Sequence, residues 1–356
     1  MLSRHVRWMP LAVAAALLTV IAVTAGSSAL TSSPGASAAG ARCDRFVAPG
    51  GSDRAAGTRR HPWRRVQHLV DHLRGGQRGC LKPGTYHEDV SVGRSHITLA
   101  GAGGGRATLV GRLWIKGQAH DDAVVGLHLD GRNRRHLPSP TVNGDRTRFE
   151  GNDVTNERTA VCFLLGSDGW GRAQGTIIRR NRIHDCGVLP AVNRQHGIYV
   201  NEADDTKILD NVIYDNADRG IQLYPDAQRT VIRGNVIDGN GEGIIFSGAD
   251  GLASTGTVVD HNAVTFSRIR ADIESWYPLG RVRPDANSVH DNCVFGGRRT
   301  IDTSGGGFVA RRNRLADPRY RSSRQHDYRV ASSSPCARLL AASQAPAGPH
   351  GERPVG

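Results

Sequence analysis

The chain has 356 residues, room for one large domain or two ordinary ones, and a formal net charge of +13. Glycine is abundant at 44 residues, aromatics are scarce at 5%, and no heptad or amphipathic-helix series runs through the chain, which excludes coiled coils and helical bundles. The positive excess is almost wholly arginine, with Lys82, Lys116 and Lys207 as the only lysines. A basic surface suits an acidic partner, although an arginine-for-lysine bias in base composition leaves the same trace.

Residues 1–40 read as a secretory signal. Arg4 and Arg7 supply the positive start, Leu11 to Thr24 is an uncharged apolar run, and Ala36-Ser37-Ala38 is a cleavage site. The run is too short for a comfortable membrane span. Cleavage removes two arginines and no acid, leaving +11. The mature protein is expected to be secreted, off the membrane and monomeric. Export gives meaning to six cysteines, which favour disulfides in an oxidising compartment. Six cysteines allow fifteen pairings. Chain order suggests Cys43–Cys80, Cys162–Cys186 and Cys293–Cys336, and the spacings match no zinc site.

The mature domain, residues 41–337, opens on Phe46 to Asp53. A helix is predicted from Pro62, with Val66, Leu69, Val70 and Leu73 on one apolar face. Such a helix can cover the open end of a solenoid, whose last rung would otherwise be a sticky edge. Leu81 to Tyr86 reads as strand and turn. Strand-like rungs follow at 97–99, 113–115 and 124–129.

From residue 141 a phrase recurs: Thr–x–apolar–x–x–Asn–x–apolar. Its asparagines are Asn152, Asn181, Asn211, Asn235 and Asn262, with weaker copies at Asn292 and Asn313, in steps of 29, 30, 24, 27, 30 and 21 residues. A fixed internal period means a solenoid. Each repeat adds a second short strand, as in Gly197-Ile198-Tyr199-Val200-Asn201 and Gly220-Ile221-Gln222-Leu223-Tyr224. Short strands with a corner residue between them describe an all-β parallel β-helix. The asparagines should stack at roughly 4.8 Å per rung, at a corner where Asn tolerates the left-handed conformation and bonds neighbouring backbone. Asp317-Pro318, Asp327 to Val330 and Ser334-Pro335 close the domain, and residues 338–356, rich in Ala, Pro and Gly, are expected to be a disordered tail.

These features together resemble the right-handed parallel β-helix, or pectate-lyase-like, superfamily. The residues that carry the likeness are the Val47–Asp53 opening, Lys82-Pro83-Gly84-Thr85-Tyr86, the Gly-Ile strands, the Asn-x-Ile corners and the Asp317-Pro318…Ser334-Pro335 ending. The likeness covers about residues 43–337, and no single lyase or hydrolase family within the superfamily is matched. It implies that the outward face of the second strands is the substrate groove.

Aligned, those strands predict two outward columns. One runs Cys162, Tyr199, Gln222, Ile245, Glu274, Asp302; the other runs Leu164, Asn201, Tyr224, Ser247, Trp276, Ser304. Just before the strands sit His196, Arg219, Glu242 and Asp272. Tyr199, Tyr224 and Trp276 could stack on sugar rings, with Trp170 added from the 166–175 loop, and Asn201, Gln222 and Glu242 could bind hydroxyls. Asp272, Glu274 and Asp302 offer three chemistries: a calcium site, a hydrolytic acid pair (Glu274 and Asp302), or solvated acids paired with Arg281, Arg283, Arg298 or Arg299. His196, Arg219 and Lys207 are the candidates for moving the proton in a β-elimination. His184 with Asp185 forms a second pair at a corner that Cys186 marks as structural.

The function these residues predict is a polysaccharide lyase on an acidic polysaccharide, with His196, Arg219 and Glu274 catalytic and no organic cofactor. No nucleic-acid partner is expected. The alternatives are a glycoside hydrolase and a non-catalytic glycan-binding solenoid.

Overall fold

The structure, a computed structural model, describes residues 42–277 and 286–340. The signal segment 1–40, Arg281, Arg283 and the tail beyond 340 lie outside the described residues. Three parallel sheets of eleven, ten and ten strands run the length of the domain. The chain visits them in strict rotation. Arg148–Glu150 lies in the first sheet, Asp153–Thr155 in the second and Phe163–Leu165 in the third, and the next rung begins at Ile177–Arg179. Along the three sheets each rung strand pairs in parallel with its equivalent one rung away, which makes the architecture a parallel β-helix; Tyr320–Ser322 and Asp327–Val330 form a separate antiparallel pair at the carboxyl end.

The apolar period dictates this winding. In the first and second sheets each three-residue strand turns its central side chain inward, whereas in the third sheet the flanking residues face in and the central one faces out. Phe149, Ile178, Ile208, Ile232, Val259 and Val289 form one inner stack, and Val154, Ile183, Ile213, Ile237, Val264 and Val294 form another; all are fully buried. A buried aliphatic side chain contributes about 1.5–3 kcal/mol, so the stacks are the main stabilising term.

The predicted asparagine ladder forms at the corner between the first and second sheets. Asn181 shows the pattern. Its Nδ2 donates to Phe149 O (3.1 Å) and Asn211 Oδ1 (3.0 Å), while its Oδ1 accepts from Asn152 N (2.9 Å) and Asn152 Nδ2 (3.0 Å). The conformational expectation needs correction. The left-handed residue is the one before each Asn: Gly151, Arg180, Asp210, Gly234, His261, Asp291 and Arg312 have φ between 52° and 71°. That residue makes the bend, and the Asn side chain then turns inward to bond the adjacent rung. A second, shorter ladder was not predicted: Asn216 Nδ2 donates to Asn240 Oδ1 (2.8 Å) at the corner after the second sheet. The threonines of the phrase, Thr147, Thr176, Thr206, Thr230 and Thr257, are buried with unpaired hydroxyls, so their contribution is packing.

The cap forms as predicted, a little later than Pro62. Helix α1 spans Val66–His72, and Val66, Leu69, Val70 and Leu73 are buried against the first rung. Its amino end is satisfied from a distance, because the Glu88 carboxylate accepts Val66 N (2.6 Å) and Gln67 N (3.1 Å). A Cβ at Gly79 would stand 2.6 Å from Leu69 Cδ2, so glycine there admits the helix. The three disulfides are Cys43–Cys80, Cys162–Cys186 and Cys293–Cys336. At the carboxyl end, Ala337–Leu340 is a short helix with Leu340 buried, so order continues into the first residues of the expected tail.

Candidate functional site

The site is built on the third sheet, where strand registers set which side chains are neighbours. Pairing runs Trp114–Thr141–Leu164–Tyr199–Gln222–Ile245–Glu274–Asp302 without a break. Two positions correct the predicted columns. Leu164, not Cys162, stands beside Tyr199; Cys162 is buried in its disulfide. Leu164 accordingly leaves the second column, in which Ser247 pairs with Trp276 as expected. Ile245 and Ser247 are buried, because the chain after Ser247 folds back and Ser254 N donates to Ser247 O (3.1 Å). The open face therefore narrows at that rung.

At the start of these strands Arg219 and Glu242 are direct register partners, both buried. Arg219 Nε donates to Glu242 Oε2 at 2.8 Å. The same guanidinium donates to Asn193 O (3.0 Å), to Asn193 Oδ1 and to Gln222 Oε1 (3.3 Å). Asn193 belongs to the 187–196 loop, and Asp218 holds that loop down by accepting Asn193 N (2.8 Å), Arg194 N (2.7 Å) and Gln195 N (2.7 Å). Glu242 Oε1 has no hydrogen-bond partner and faces Glu274. Burial drives the Glu242 carboxyl up; the Arg219 charge opposes this and the Glu274 carboxyl adds to it, leaving Glu242 pushed up to about 8. Glu274 is half-buried, with Arg270 Nη1 3.4 Å from its Oε1. Ala191, Asn193, Asp218, Arg219, Glu242, Ile269 and Arg270 line a recess of about 170 Å³.

The predicted site residues thus divide. Arg219, Glu242, Gln222 and Glu274 come together. His196 lies beneath them at 1% exposure, edge-on to Tyr199 (5.4 Å); burial first, then Arg219, holds its imidazole well below the ordinary range. So buried, it cannot touch a polymer. Tyr199 and Tyr224 are half-buried with rings 6.5 Å apart, Asn201 is tied to Gly166 O (3.2 Å), and Trp276 is 51% exposed. Lys207 lies in the first sheet, away from this face.

Among the described residues the carboxylates of Asp272, Glu274 and Asp302 do not gather into one group. Asp272 turns its carboxylate into the adjoining corner, accepting Ser267 N (3.1 Å) and Gly297 N (3.0 Å), and burial pushes it up to about 6. Asp302 is bonded to Ser304 N (3.0 Å) and pairs with Arg299, which together hold it down at about 2. Arg299 is one of the arginines named as a partner for these acids. Among the described residues, His96, His120 and Asp121 do bring ligand atoms within 4.8 Å of one another. Both Asp121 oxygens are taken by Arg146 at 2.8 Å, so that corner is an ion pair. His184 is structural as read: it bonds Asp185 (2.8 Å) and Asp153 (2.8 Å). Burial would lower its imidazole, but the two carboxylates outweigh it and raise it to about 9.

The family described as "Right handed beta helix region" matches residues 126–272. The solenoid is a right-handed parallel β-helix. The fold is similar to that of pectate lyase Pel9A, at 13% identity over 83% of this chain and 92% of that one, TM-score 0.58. It is also similar to the A-module of the Azotobacter vinelandii mannuronan C-5 epimerase AlgE4, at 16% identity over 70% and 71%, TM-score 0.52. XylC in complex with xylose gives 12% identity over 72% and 69%, TM-score 0.51. A sequence search of curated proteins finds no match. At such identities the likeness is one of fold, and the chemistry of the β-helix must be argued from its own residues.

Proposed function

We propose that this β-helix is an exported carbohydrate-active enzyme that lays a polysaccharide along its third sheet and hydrolyses it at the Glu242–Glu274 pair. The observation that carries the reading is the pairing itself. Glu242 lines the recess, the Glu274 carboxyl of the next rung stands close enough to act on it, and Glu242 is pushed up to about 8. At neutral pH the pair retains a proton, seated on Glu242, that can pass to a leaving glycosidic oxygen. Glu274, more open and beside Arg270, is the base or nucleophile. Tyr224 and Trp276 offer rings for sugar stacking. Export is supported by three disulfides, and among the described residues no helix is long and apolar enough to cross a membrane. Pectate lyase and mannuronan epimerase, both enzymes of acidic polysaccharides by name, share the fold.

β-Elimination is the second reading, favoured by Arg219, which lines the recess and could neutralise a uronate carboxylate. His196 gives it no accessible base. Purified protein should be incubated with polygalacturonate, alginate and xylan, following both reducing ends and the ultraviolet absorbance of unsaturated uronates. New reducing ends without absorbance, lost in Glu274→Gln, support hydrolysis. Absorbance establishes elimination. Neither signal on any substrate overturns both readings and leaves glycan binding.

A further inference from the structure

Four rungs before Gln222 the outer face of the third sheet carries a second group of aromatic and basic side chains. Arg112 and Lys116 flank the strand Leu113–Ile115 with Trp114 at its centre, and the cation contacts place all three on one side. The Arg112 guanidinium lies 4.8 Å from the Trp114 ring centroid and Lys116 Nζ lies 5.5 Å from it. Trp170, on the 166–175 loop, meets Trp114 edge-on at 4.8 Å and leaves 60% of its surface in solvent.

This arrangement is held rigidly. Asn143, 1% exposed, accepts Trp114 Nε1 (2.9 Å) and donates to Gly171 O (2.8 Å) and Ser167 Oγ (3.3 Å), so one amide ties the indole to the loop. The loop is also strapped to the sheet: Ala173–Gln174 pairs with Ala203–Asp204, and Arg172 bridges Asp204 (2.7 Å) and Asp226 (2.7 Å). A tryptophan that packing alone required would bury its ring. Trp170 is instead braced in the open, with two cations beside its anchor. Lys116 makes no ion pair among the described salt bridges.

We infer that Arg112, Trp114, Lys116 and Trp170 form a distal anchoring subsite for an anionic sugar of a polysaccharide. Trp170 supplies the plate on which a sugar ring lies, and Arg112 and Lys116 supply charge to its carboxylate or sulfate. The subsite rests on the reading of the third sheet as the polysaccharide face. The unbroken register from Trp114 to Glu274 is six steps, roughly 29 Å, so one chain of several sugars can touch both ends. The enzyme would therefore favour long internal segments over short oligosaccharides.

The test is binding, measured apart from turnover in a Glu274→Gln background by calorimetry with polygalacturonate, alginate and neutral xylan. At least one acidic polymer should bind, with xylan much weaker and affinity falling as salt rises. Adding Trp170→Ala should weaken that binding about tenfold, and Lys116→Ala should weaken it less while reducing the salt dependence. Trp170 is exposed enough that its loss should leave the unfolding midpoint unchanged, and Trp114→Phe serves as a second variant that keeps a ring. Equal binding by wild type and both variants overturns the subsite while leaving the hydrolytic reading standing. Equal binding of xylan overturns its anionic specificity. Tight, Trp170-dependent binding by a protein that cleaves nothing upholds the subsite and overturns the enzyme.

Discussion

Two buried polar arrays run along this β-helix, and they are finished differently. At the corner between the first and second sheets each interior asparagine uses both amide hydrogens and its oxygen, rung after rung. On the third sheet a guanidinium and a carboxyl are equally buried, yet Glu242 Oε1 and His196 Nδ1 are left without partners. A satisfied polar ladder rigidifies a core, whereas a buried ionisable group left without a partner costs more free energy than the unpaired threonine hydroxyls of the repeat. The same scaffold and rung spacing therefore carry a closed polar ladder at one corner and an open polar cluster on another face.

The sharpest way to break this contrast is to neutralise the acid pair. Glu242→Gln and Glu274→Gln should each lower turnover by about 10²–10⁴-fold, with the unfolding midpoint held or raised in Glu242→Gln. A fall in stability matching the loss of activity would make the pair structural, like the asparagines. Next in size is Arg219→Ala, which leaves Glu242 buried beside Glu274. Urea unfolding above pH 8 should show a loss of about 3–5 kcal/mol, shrinking at pH 6 where Glu242 keeps its proton. On the other array, Asn235→Ala should cost about 1–3 kcal/mol without touching affinity for any polymer, and Asn313→Ala, at the end of the ladder, less.

The pH dependence sharpens the comparison further. Glu242 is raised to about 8 from an ordinary 4.5, so the folded state holds a proton that the unfolded state has released between those values. Stability then falls as pH rises through that window. Asp122, Asp238 and Asp272, each raised by burial to about 6, act in the same direction between about 4 and 6. His184, raised to about 9, adds stability that is lost as pH climbs through 9. Unfolding midpoints should decline from pH 5 to pH 9, and Glu242→Gln should flatten the decline between 5 and 8. An unchanged slope in that variant would place the proton elsewhere.

The fold was legible because its signals are local and repeated. A two-residue corner and a central apolar residue recur in each rung, and the Asn spacing counts the rungs. The site was legible only where it shares that regularity, as with Arg219 beside Glu242 and Glu274 beside Asp302. It failed where side-chain direction or loop length decides. Asp272 shares parity with Glu274, yet its carboxylate is drawn to backbone amides at the next corner. Leu164 was misplaced because the preceding turn hides the register by two residues. Asn193, Asp218 and Arg270 sit in loops or at strand starts with no period to expose them. The Arg112, Trp114 and Lys116 face was not read from the sequence, where 113–115 stands only as a strand-like rung; the braced loop that brings Trp170 beside it has no sequence signal.

Stacked repeats contact only their neighbours, so such a domain tends to melt by fraying from its tips. Here Cys43–Cys80 fastens the first turn and Cys293–Cys336 fastens the last to the closing segment. With both tips stitched, the zipper has no free end from which to open, and any breathing must begin in the middle turns. Those turns carry the 166–175 and 187–196 loops, with Cys162–Cys186 as a third stitch between them. Such a solenoid would resist unzipping from either end rung, and its two middle-turn loops are themselves tied down, one by Arg172 and the other by Asp218.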